Sequence, residues 1–86
     1  MMENAIIVYG TAWCRDCFRV CRFFDKYNIA YRWVDIDRDE FAQDFVKSTN
    51  HGFRSVPTIV LNDGSILVEP SDFELRQLLD SIFASS

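Results

Sequence analysis

What this chain lacks narrows what it can be. Basic residues are in the minority, 9 lysines and arginines against 13 aspartates and glutamates, which leaves a net charge of −4. A chain so short of positive charge offers no face to a phosphate backbone, so no nucleic-acid partner is expected. Long apolar runs are missing too. Ala5 to Tyr9 is too short for a membrane span or an export signal, and no basic residue precedes it in Met1-Met2-Glu3-Asn4. A cytoplasmic protein with no membrane attachment is the expectation. Repeats, low-complexity tracts and linkers are absent from the 86 residues, and that length holds a single core. One domain over residues 1–86 is expected, as a monomer.

What is present is apolar and aromatic. At 49% hydrophobic and 15% aromatic the composition is that of a packed domain and not of a disordered tail. The segments alternate in period. Ile6-Ile7-Val8-Tyr9 is a β-rich run ended by Gly10 and Thr11. Arg15 to Asn28 predicts a helix, with Cys17, Val20, Cys21 and Phe24 at positions i, i+3, i+4 and i+7. Tyr31 to Ile36 is strand-like. Asp37 and Asp39 can cap a second helix in which Phe41 and Phe45 are one turn apart, with Gly52 as its stop.

The last third continues the pattern. Thr58 to Leu61 and Ile66 to Glu69 are strands joined by the turn Asn62-Asp63-Gly64-Ser65. Ser71-Asp72-Phe73-Glu74 has capping-box spacing after Pro70, and Leu75, Leu78, Leu79 and Ile82 form one apolar stripe. Spacing also puts Phe23, Phe24, Tyr27, Phe41, Phe45 and Phe73 in or near the core, and Arg19 and Arg22 on a solvated helix face. The order is β-α-β-α-β-β-α. A right-handed crossover makes the first two strands parallel, and the hairpin makes the last two antiparallel. The class is therefore α/β, a four-stranded mixed sheet with helices on its faces, which is the thioredoxin layout.

The chemistry is carried by Cys14-Arg15-Asp16-Cys17. The thiolate is the attacking form of cysteine, and the first turn of a helix stabilises it through free N–H groups and the positive end of the dipole. Cys14 falls where the loop after the first strand becomes a helix, and Cys17 follows one turn later. That spacing suits an exchange in which Cys14 attacks a disulfide and Cys17 resolves the product. Arg15 favours the thiolate and Asp16 opposes it. Trp13 offers an apolar surface for a substrate backbone. Cys21, on the same stripe, is expected as a packed thiol, with an auxiliary, oxidisable thiol as the alternative. A zinc site of Cys14, Cys17, Cys21 and His51 is conceivable by ligand type, but one Cys-x-x-Cys without a second pair fits it poorly. His51 is expected as a capping or surface residue.

Val56-Pro57 precedes the third strand, a position proline tolerates and the only common setting for a cis peptide. Tyr9-Gly10-Thr11-Ala12-Trp13-Cys14-Arg15-Asp16-Cys17, then Val34-Asp35-Ile36-Asp37 and Arg54-Ser55-Val56-Pro57-Thr58, together resemble the glutaredoxin family from end to end. Within it the chain is most similar to the mycoredoxin branch, through Thr-x-Trp-Cys, Arg-x-Val-Pro-Thr and Pro70-Ser71. The resemblance implies a glutaredoxin fold and a thiol–disulfide oxidoreductase that reduces protein disulfides or mixed disulfides in cell redox homeostasis. It implies a cis Pro57 beside Cys14, and Val56 offering its backbone to a substrate strand.

Departures bear on the reductant. Thr11 stands where glutathione-using members carry a basic residue. Val68-Glu69-Pro70-Ser71-Asp72 replaces their Gly-Gly and acidic pair, leaving Asp72 as the acidic contact. Arg54 can take a substrate carboxylate through its fork or lie solvated. Thr11, Trp13, Arg54, Val56, Pro57 and Asp72 are thus the candidate substrate-binding residues. No bound organic cofactor is required. Glutathione, mycothiol and a thioredoxin reductase all fit as electron donor. The alternative reading is an iron–sulfur cluster or metal carrier using the same cysteines, disfavoured by the second cysteine and the absent Cys-Gly-Phe-Ser motif.

Overall fold

A computed structural model describes residues 6–84, and its sheet is built outward from the first strand. Strand β1 (Ile6–Gly10) buries Ile6, Val8 and Gly10 on one face and leaves Ile7 and Tyr9 half-buried on the other. Strand β2 (Tyr31–Asp35) runs parallel to it, with Val8 opposite Trp33 and Gly10 opposite Asp35. Strand β3 (Thr58–Val60) pairs antiparallel on the other side of β1, and β4 (Ile66–Val68) pairs antiparallel with β3. The order across the sheet is β2-β1-β3-β4. The chain has the thioredoxin-like fold, a mixed four-stranded sheet with three helices. The expectations for residues 1–5 fall outside the described residues.

The helices are α1 (Arg15–Lys26), α2 (Glu40–Thr49) and α3 (Asp72–Ala84). Helices α1 and α3 share one sheet face, where Val20, Phe24, Leu75 and Leu78 meet Ile6, Val8 and Ile59. Helix α2 covers the other face with Ala42 and Val46 against Ile36, Tyr9, Val34 and Val56. Phe24 is fully buried, and truncating such a ring to alanine costs about 3–5 kcal/mol.

Local signals explain where the elements end. Helix α1 stops two residues short of Asn28, which sits at φ 57°, a left-handed conformation that closes the helix. Asp39 alone caps α2, accepting the Ala42 N–H at 3.0 Å. His51 and Gly52 follow at φ 58° and 94°, and the Gly52 N–H returns to the Lys47 carbonyl at 2.7 Å, so the expected stop is there. Ser71 and Glu74 form a reciprocal capping box, with bonds of 2.9 and 3.1 Å. Strands β2, β3 and β4 each end one residue before the expected limit, and β4 ends because Glu69 turns to φ 46°.

The aromatic expectation needs correction. Phe24 is buried and Phe23 packs against the core, but Phe41 is 88% exposed and Phe73 is 69% exposed. Tyr27 and Phe45 lie at the margin. Helical spacing aligns side chains on a face, and only a covering element buries them. Leu75, Leu78 and Leu79 are buried as expected, whereas the side chain of Ile82 is outside those described.

Candidate active site

The strand–helix junction does what the sequence asks of it. Cys14 is the N-cap of α1, in extended conformation at φ −86° and ψ 118°. Its Sγ accepts the Cys17 N–H at 3.3 Å, so the sulfur takes the place of a capping oxygen and faces the helix N-terminus. Its own N–H donates to the Thr11 carbonyl at 3.4 Å. Cys14 is half-buried, and Cys17, one turn on, is fully buried beneath it. Burial first, and then the Cys14 sulfur beside it, push the Cys17 thiol up to about 12, although the Thr11 backbone pulls it partly back.

The opposite wall is the loop before β3. The Val56–Pro57 peptide is cis, and the Val56 carbonyl lies 3.9 Å from Cys14 Sγ. That loop is pinned from below. The buried Thr58 hydroxyl donates to the Ser55 carbonyl at 2.7 Å and accepts from the Asn50 amide at 3.2 Å, and the Glu69 N–H holds the Pro57 carbonyl at 2.9 Å. Cys14 thus lies beside the cis Val56–Pro57 peptide, the arrangement that the family resemblance implied.

The remaining candidates are distributed differently. Thr11 is completely buried and its hydroxyl is unpartnered, so it meets the cysteines through its backbone. Trp13 is 70% exposed and donates its indole N–H to Asp37 Oδ2 at 3.0 Å. Arg54 is not solvated on its own. Its guanidinium donates to Asp37 Oδ1. Asp72 is the first residue of α3, where it accepts from Arg19 at 2.7 Å. Arg19 also donates to the Pro70 carbonyl at 2.7 Å and lies 3.7 Å from Asp16, so it is no solvated bystander. That corrects the expected free surface charge. The reason is tertiary, since α1 packs beside the start of α3 and a three-way acceptor set meets the guanidinium fork.

Asp37, expected to cap α2, instead ties Trp13 to Arg54, and composition or period carries no sign of that. Trp33 carries no functional signal in the sequence, and Gly10, expected to end the first strand, is instead its last residue. A Cβ at Gly10 would lie 2.6 Å from Cys17 Sγ and 2.6 Å from the tip of the Trp33 ring. The alternation along β2 places Trp33 on the α1 face once the parallel register is known.

Cys21 is half-buried against the core beside the Tyr31 hydroxyl. Burial raises its thiol, with partial relief from Tyr31, and Tyr31 in turn is pushed up to about 12, chiefly by the Cys21 sulfur. Among the described residues, no three His, Cys, Asp or Glu side chains converge as a metal ion requires, so Cys14, Cys17, Cys21 and His51 do not form one ligand set. No described helix is long and apolar enough to cross a membrane.

Comparison with known proteins agrees with this geometry. The glutaredoxin family model matches residues 6–66. A protein of Mycobacterium tuberculosis, named provisionally as a glutaredoxin, is 40% identical over 82 residues, covering 95% of this chain and 98% of its own. Mycoredoxin 1 of Corynebacterium glutamicum is 33% identical over 81 residues, covering 94% and 99%. Among solved structures, the thioredoxin-like protein BC3987 superposes with a TM-score of 0.73 at 30% identity, covering 85% of this chain and 97% of that one. A buckwheat glutaredoxin in complex with glutathione reaches 0.69 at 23% identity, over 86% and 69%, a likeness of fold.

Proposed function

The chain belongs to the glutaredoxin family, and on that premise we propose that it is a dithiol oxidoreductase with Cys14 as nucleophile and Cys17 as resolving thiol. The observation that carries this reading is the Cys14 sulfur at the N-cap of α1, accepting the Cys17 N–H and open to the Val56 carbonyl.

In the first step the Cys14 thiolate forms a bond to one sulfur of a substrate disulfide. The substrate's S–S bond breaks and its other half leaves as a thiolate. In the second step Cys17 attacks the Cys14 sulfur, the second substrate thiol departs with the Cys17 proton, and a Cys14–Cys17 disulfide remains. Two electrons from outside then restore the dithiol. Likeness to mycoredoxin 1 supports a low-molecular-weight thiol such as mycothiol as their source, with glutathione or a thioredoxin reductase as the other donors of the right chemistry.

Val56 and Pro57 form the edge along which the substrate backbone lies, and Trp13 flanks it. Thr11 supports the pair through its backbone, while Arg54 and Asp72 act through the charges they hold on either side. The substrates are disulfide-bearing proteins and mixed disulfides between proteins and small thiols, reduced in the cytoplasm.

The test separates the two cysteines. Cys14→Ser abolishes exchange. Cys17→Ser retains one-cysteine reduction of a small-thiol mixed disulfide and accumulates Cys14-linked adducts visible by intact mass. Equal loss from both changes in the one-cysteine assay overturns the assigned roles.

A further inference from the structure

We propose that Asp37 determines which thiols this site accepts, by holding Arg54 neutralised beside Cys14 so that carboxylate-bearing disulfides find no cationic anchor there. The inference rests on the exchange reading above and adds its substrate class, disulfides of thiols without net negative charge.

The geometry is specific. Asp37 follows β2, and its own N–H is held by Asp35 Oδ1 at 2.9 Å. Its Oδ2 accepts the Trp13 indole N–H at 3.0 Å, and its Oδ1 accepts the Arg54 guanidinium. One carboxylate therefore spans the residue before Cys14, the loop after β2 and the approach to Pro57. Arg54 stands two residues before Val56, whose carbonyl is 3.9 Å from the reactive sulfur. A guanidinium there is suited to clamping a carboxylate on an incoming thiol. Asp37 already fills that role, and being part of the same chain it competes at high effective concentration. An anionic thiol must displace it and meet its charge.

Stability does not account for the pair. The Arg54 and Asp37 side chains are 41% and 38% exposed, and pairs so exposed add little to folding. Their effect falls instead on charge at the rim. On α1, Arg19 is paired in the same manner with Asp72 and Asp16. Arg15, exposed beside Cys14, pulls equally in every variant of Asp37 and Arg54, so comparing the ratio of rates between variants removes its contribution.

The experiment uses the full chain carrying Cys17→Ser, so that only the first step occurs. Reduced protein is mixed with oxidised glutathione, which carries carboxylates on both halves, or with bis(2-hydroxyethyl) disulfide, which is uncharged. Each reaction forms one Cys14–sulfur bond, breaks one disulfide and releases one thiol, with no further reductant. Second-order rate constants come from acid-quenched samples read by mass.

Asp37→Asn keeps an oxygen for Trp13 and removes the charge. It raises the glutathione-to-hydroxyethyl rate ratio by roughly fivefold, and adding Arg54→Gln returns the ratio toward its starting value. High salt shrinks the gain. An unchanged ratio, or a gain that survives Arg54→Gln, overturns the inference while leaving the exchange reading intact. Failure of the Cys17→Ser parent to react with either disulfide overturns the exchange reading, and this inference with it.

Discussion

Gly10 and Trp33 meet in one space at the end of β1. The point where a Gly10 side chain would begin lies 2.6 Å from the Trp33 ring tip and equally close to Cys17 Sγ. The bare glycine lets an indole from the neighbouring strand share that space with the Cys17 thiol. The space is shared by a strand, its parallel neighbour and α1, so one added methyl group is felt by all three.

Gly10→Ala is therefore an overpacking change in a close-packed interior. It is expected to destabilise the reduced protein by about 1–3 kcal/mol, read as a lower urea midpoint with an unchanged slope. Because the Trp33 ring is the movable partner, its fluorescence shifts as well. A wild-type midpoint together with a wild-type emission spectrum would refute the shared-space account.

Stability has a pH dependence with a definite sign. Cys17 and Tyr31 both titrate higher when folded than when unfolded, each near 12 against ordinary values of 9.0 and 10.0. Between the ordinary and the raised values the folded state binds more protons, so stability falls as pH rises. It is fully present below about pH 9, and the reduced protein loses it progressively towards pH 12. Oxidation to the Cys14–Cys17 disulfide removes the Cys17 titration, so the oxidised protein is expected to show a shallower alkaline loss. Identical slopes for the two forms would refute the assignment.

Thiol labelling follows from the same burial. Cys14 is half-buried at the surface end of α1, Cys17 is sealed, and Cys21 is packed beside Tyr31 with its thiol raised. Iodoacetamide at pH 8 is expected to modify Cys14 first, the half-buried Cys21 more slowly because its thiol is raised, and Cys17 only on unfolding. Peptide mapping at early times checks this, and early label on Cys21 would count against a merely packed thiol.

Much of the fold was legible because its signals are local. A capping box needs only Ser71 and Glu74 three residues apart, and both bonds formed. The stop after α2 needs only His51 and Gly52 in left-handed conformation. Cys14 and Cys17 needed a strand, a short loop and a helix in order, and that order is written in hydrophobic period. Parallel and antiparallel pairing then followed from chain connectivity.

Distant partners are another matter. The spacing of Phe24 and Phe41 announced a helix face for each, yet Phe24 is sealed by β1, Ile59 and α3, while Phe41 is left almost bare beside Ala42. Period states which side chains share a face but not whether another element covers it. Charges obey the same limit, because an arginine's partner is chosen by proximity in space and not by spacing along the chain. Sequence alone determined the element order, the caps and the cysteine pair at the head of α1, since each depends on residues within about one turn of one another. Only the tertiary structure decided that Asp37 joins Trp13 to Arg54, that Arg19 reaches Asp72 53 residues away, and that Trp33 fills the gap above Gly10. Those contacts exist because the packed sheet and helices bring remote segments within hydrogen-bonding and van der Waals reach.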